Sequence, residues 1–145
     1  MMTANLAIRD LALQMLAQES SPDGALEDFI PRAHSVFERL RVHLIVFVGA
    51  AGYRAMLSRA LTMGKSQEPA LREFAVSLDG TLDLATHQDS PEARSGVLLL
   101  LAQLLELIET LVGEALMLRL VQDMWPMVTL NPSLNAEQIN EKVNP

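Results

Sequence analysis

Apolar residues recur at helical spacing in three long stretches of the chain. In the first, Leu6, Ile8, Leu11, Met15 and Leu16 face away from Asp10, Gln14 and Gln18, which predicts a helix over 4–18. Ser20-Ser21-Pro22-Asp23-Gly24 then reads as a turn, because Pro presets φ and Gly accepts positive φ. Residues 26–30 could add a short helical turn. Pro31 keeps Ile30 out of the α region and suits the first position of a helix. A second helix is therefore predicted over 31–63, with Gly64 as its C-terminal stop.

This second helix changes character along its length. Up to Arg41 it is amphipathic, with Val36, Phe37 and Leu40 inward. From Val42 to Gly52 it is apolar all round, the pattern of a helix covered on every side. Gly49 and Gly52 each cost about 1 kcal/mol there against Ala. They predict either the close approach of another helix or a kink. Ile45, Val48, Gly49, Gly52, Met56 and Met63 form a second face, distinct from Phe37, Leu40, Leu44, Phe47 and Ala51. Two faces need two neighbours, one of which could come from another subunit.

Residues 65–90 support two readings. Leu71, Phe74, Leu78 and Leu82 fit a helix, whereas Phe74, Val76 and Leu78 alternate up to the turn signal Asp79-Gly80, with Leu82 and Leu84 beyond it. A small β-hairpin near 73–85 and a helix are both compatible with this pattern.

Ser90 and Pro91 mark the start of the last long helix, and Pro126 ends it. Taken as one rod over 91–124, its Leu, Ile and Val residues fill about half the circumference, with Gln103, Glu106, Glu109, Thr110, Gly113 and Glu114 opposite. An arc that wide needs at least two covering helices, as in the central helix of a bundle. The prediction is an all-α fold, a compact helical bundle around two long helices. One domain spans 1–130, and 131–145 is a tail, either a short helix or disordered.

Composition narrows the picture. Half the residues are apolar but only 4% are aromatic, so the core must be aliphatic, and 8 Met suit helix-on-helix packing. With no Cys, disulfides and thiolate sites are excluded; that fits a cytoplasmic protein. A net charge of −7 argues against nucleic-acid binding. Residues 2–18 carry too many polar positions for a signal peptide. The stretch 97–121 is long enough to span a bilayer, but Glu106, Glu109, Glu114 and Arg119 would each cost roughly 2.5–3.5 kcal/mol near its centre. No membrane span is expected.

Candidate chemistry is sparse. Glu106, Glu109 and Glu114 lack the Glu-x-x-His step of helical di-metal sites, so no metal and no cofactor are expected. Arg32, Arg39 and His43 align on the second helix, and Arg54 joins them if that helix is straight. Such a line suits either an anion groove or pairing with the glutamates of the last helix. Arg119 falls near the middle of the apolar arc, either snorkelling or anchoring a ligand or partner. His43 reads first as a satisfied core histidine, and Trp125 as a dimer anchor or a core lid. Gly49-Ala50-Ala51-Gly52 lacks the GK[ST] ending of a phosphate loop.

Two phrases, FVGAAGYRAMLSRAL over 47–61 and LVGEALMLRLVQDMWP over 111–126, resemble a family of short bacterial helical proteins with no known activity. The resemblance covers under a quarter of the chain. It implies a bacterial cytosolic protein and carries no site residues.

The sequence points to a non-enzymatic interaction or regulatory module, homodimeric through apolar helix faces that include Ile45, Gly49, Gly52, Met56 and Trp125. A small-molecule sensor or carrier is the alternative, with an aliphatic pocket and polar anchors from Arg119, Arg54, His43 and Arg39. An enzyme is disfavoured because no nucleophile–base set is recognisable.

Overall fold

The computed structural model describes residues 6–19, 29–77, 80–82 and 90–129, so the predicted tail over 131–145 lies outside the described residues. It has four helices, α1 (Leu6–Gln18), α2 (Phe29–Lys65), α3 (Pro91–Val112) and α4 (Glu114–Met124), and a 3-10 turn at Pro69–Glu73. The fold is all-α.

α2 is not a rod. Gly49, at φ 80° and ψ 164°, leaves helical geometry in its middle. The Tyr53 hydroxyl donates to the Phe37 carbonyl at 3.4 Å, 16 positions away in sequence. A straight helix would separate those positions by about 24 Å. The arm over 50–65 therefore folds back along the arm over 29–48, making a helical hairpin whose turn is a single glycine. An L side chain strongly disfavours this positive φ, whereas glycine reaches it freely.

The expected rod over 91–124 breaks in the same way. Gly113, at φ 93° and ψ 159°, is at once the C-cap of α3 and the N-cap of α4. At each of the two turns, nothing lies within 4 Å of where a Cβ would stand. Backbone conformation alone thus selects glycine at both.

α3 begins as the sequence predicts. The Ser90 Oγ accepts from the Ala93 N–H at 3.0 Å, and Pro91 occupies the first turn. From Leu99 to Leu105 every residue is buried, because α1, α2 and α4 all pack on this helix. Each Leu fully buried there stabilises the fold by about 1.5–3 kcal/mol. The wide apolar arc is thus covered from within the chain as far as Ile108. Gln103 is a correction: expected on the polar side, it is 1% exposed.

Gly64 does not stop the helix, which runs on to Lys65. A Cβ there would stand 2.7 Å from the Leu71 Cδ1, so the bare backbone lets the 3-10 turn close onto α2. The ambiguous stretch is not a helix where it is described. Val76 and Leu82 form a single antiparallel bridge, and Phe74 and Leu82 turn into the core. The rest of the hairpin expected near 73–85, including Leu78 and Leu84, lies outside the described residues.

By length and composition α2 and α3 could each cross a membrane. They differ in what the fold does with that apolar surface. In α3, 56% of the most apolar window is buried inside the protein, against 22% in α2.

Candidate functional site

The two glycine turns lie at one end of the bundle. The second arm of α2 runs antiparallel to α3: a Cβ on Gly64 would come within 4.0 Å of Leu99, while Ala55, Met56 and Arg59 face Leu107, Thr110 and Leu111 across a groove. The Gly49 and Gly113 turns therefore point toward the same end of the bundle. Around them the large apolar residues Val46 (79%), Phe47 (58%), Leu111 (60%) and Leu116 (43%) are exposed, far more than a closed aliphatic core requires. Ala50, Ala51 and Ala115 are exposed between them. These exposed apolar side chains flank the two turns in sequence, at 46–51 and 111–116.

The groove beside the turns has a volume of about 440 Å³ and is lined by Ala55, Met56, Leu107 and Leu111, with Arg59 and Thr110 as its polar groups. Glu109, on the α3 side of the turn, has its pKa raised by burial first, and then by the neighbouring Glu114 and Glu106 carboxylates. The acidic stripe predicted from sequence thus includes mutually repelling carboxylates.

A second cluster lies at mid-height. The Glu19 carboxylate, 8% exposed, accepts from the Trp125 indole Nε1 at 2.8 Å and from Arg39 Nε and Nη2 at 3.2 and 3.1 Å. The Arg39 guanidinium also lies over the Trp125 ring, 5.7 Å from its centroid. An open depression of about 570 Å³ borders this cluster, with Ser35, Glu38, His43 and Asp123 on its wall. The charges closest to hand are already engaged: Arg39 with Glu19, and Arg41 with Glu38 at 3.0 Å. Gln14 and Gln18 of α1 hold the backbone that follows Trp125, through Thr129 and Met127. The arrangement ties the ends of α1 and α4 to the first arm of α2.

The structure separates residues that the sequence grouped. Arg39 does not pair with the glutamates of the last helix, because α1 brings Glu19 to it first. Arg54 leaves the Arg32–Arg39–His43 line because the chain reverses at Gly49, and it is exposed on the other arm. Arg119 is exposed as well: the break at Gly113 resets the helical phase, so it never lies in the apolar arc. Arg39 and His43 are brought together at the depression; Arg54 and Arg119 line neither hollow.

Of the predicted packing face, Ile45 and Met56 are half-buried against the core and Gly49 is the turn itself. Gly52 faces Val48 across the turn, where an added Cβ would stand 3.1 Å from the Val48 Cβ, and no other element comes within 4 Å of it. Trp125 is 2% exposed, a core lid. Sequence reasoning missed Glu19 altogether, and it read Val46 and Phe47 as covered. Among the described residues no three His, Asp or Glu side chains gather as a metal site. No protein-family model, curated protein or solved structure matches the chain.

Proposed function

We propose that this protein is a non-enzymatic helical interaction module that self-associates through apolar helix surface. The observation that carries this reading is the set of four large apolar side chains, Val46, Phe47, Leu111 and Leu116, that stand in solvent beside the two glycine turns. Burying them would recover about 25 cal/mol per Å² of apolar surface, the ordinary driving force of association.

Sedimentation velocity over a wide dilution series tests the reading. A reversible monomer–dimer equilibrium is expected. A protein that stays monomeric up to high concentration would overturn it.

The 440 Å³ groove supports a second reading, a carrier of an aliphatic ligand with an anionic head near Arg59. Arg59 takes the anchoring role that the sequence gave to Arg54, Arg119 and His43. Native mass spectrometry of the purified protein checks this: a bound aliphatic acid supports it, and a bare mass removes it.

A further inference from the structure

The apolar end is also electrically divided. From Val42 to Gln67 the chain has no Asp or Glu, and the second arm of α2 carries Arg54, Arg59 and Lys65. From Ser95 to Leu118 it has no Lys or Arg, and the α3–α4 turn carries Glu106, Glu109 and Glu114. Each turn is thus an apolar tip with charge of one sign behind it, and the two tips point toward the same end of the bundle.

Arg54, Arg59, Glu109 and Glu114 take part in no ion pair among the described residues, although the second arm of α2 packs along α3. Burial, and then the Glu114 and Glu106 carboxylates beside it, raise the Glu109 pKa, so like charges crowd this turn.

Building on the self-association just argued, we propose that the partner is a second copy of this chain, docked turn to turn about a two-fold axis. The basic second arm of α2 in each copy lies against the acidic α3–α4 turn of the other. A two-fold interface presents the same patch from both sides, so a patch carrying both signs meets its complement twice. Val46, Phe47, Leu111 and Leu116 form its apolar centre and the charges its rim. A two-fold axis running from arm to turn would instead set arm against arm and turn against turn, which like charges resist, so the axis lies between arm and turn. An anionic membrane surface is a poorer occupant, since Glu114 is exposed on the tip that would meet it.

Charge reversal tests the geometry, with circular dichroism confirming that each exposed-site variant keeps its helices. Sedimentation velocity on Arg54→Glu/Arg59→Glu, and separately on Glu109→Lys/Glu114→Lys, should show at least about a tenfold weaker dimer. An equimolar mixture of the two should dimerise again, because each arm then meets a turn of opposite sign. If the wild type dimerises and the mixture does not, the surface assigned here is wrong, while self-association stands. A monomeric wild type overturns both. Wild-type protein that floats with phosphatidylcholine vesicles, and loses this with Phe47→Glu, would assign the end to a membrane and overturn the proposal.

Discussion

The Trp125 indole Nε1 donates to the Glu19 carboxylate at 2.8 Å, across 106 positions of sequence. A buried carboxylate that loses a donor keeps the cost of desolvation without its compensation. Trp125→Phe retains the ring and removes only the N–H, and should cost about 1.5–3 kcal/mol in urea denaturation. Glu19→Gln in the same chain should make the two changes less than additive. Additive losses would mean that the two side chains are not coupled.

Tyr53 is the only tyrosine in the chain, so phenolate absorbance reports this residue alone. Burial foremost, and then the Glu38 carboxylate, push its pKa well above the ordinary 10.0, with Arg41 acting weakly against them. Because the folded pKa is raised, the stabilisation is complete below pH 10 and is lost as pH rises further. The tyrosine should therefore ionise together with unfolding. Ionisation near pH 10 in a protein that keeps its helical signal would contradict the buried placement.

The two turns make a matched test. Alanine at Gly49 or Gly113 meets no neighbouring atom, so each substitution should cost only the strain of a backbone region that is essentially glycine's own, roughly 1–3 kcal/mol. Thermal melts of the two variants should fall by similar amounts. A gain of helical signal with no loss of stability would show that the chain prefers straight rods.

Glu109→Gln removes a charge that burial and its acidic neighbours disfavour. A raised carboxyl pKa means that the folded state holds its proton more tightly than the unfolded one. Its contribution is complete below the unfolded pKa and fades as pH rises through the folded one. In dilute protein the variant should melt higher than the wild type at pH 7, with the difference closing in acid. A lower melt at pH 7 would mean that the carboxylate has a partner.

The all-α class was readable because aliphatic periodicity and the Ser90–Pro91 start are local signals. The two reversals were not. Gly113 falls on the polar side of an unbroken 91–124 projection, so nothing in that phase exposes a break. At Gly49 a kink was one of two alternatives, and the apolar run from Val42 to Gly52 made coverage look the better one. Once α2 folds back, the turn has no neighbour, and Val46 and Phe47 emerge. The misplacement of Arg119 follows from the same error of phase. The Glu19–Arg39–Trp125 cluster left no pattern to read, since its members come from three distant segments.

The tie between Glu19 and Trp125 sets an order of events on the ribosome. α1 leaves the exit tunnel well ahead of α3, the helix it packs on, and of the indole that holds the Glu19 carboxylate. The α2 hairpin can close as soon as Tyr53 emerges, since both sides of its turn are already made. The first helix therefore waits while the middle of the molecule assembles, and its apolar face, Ile8 through Leu16, is what a nascent-chain chaperone would meet.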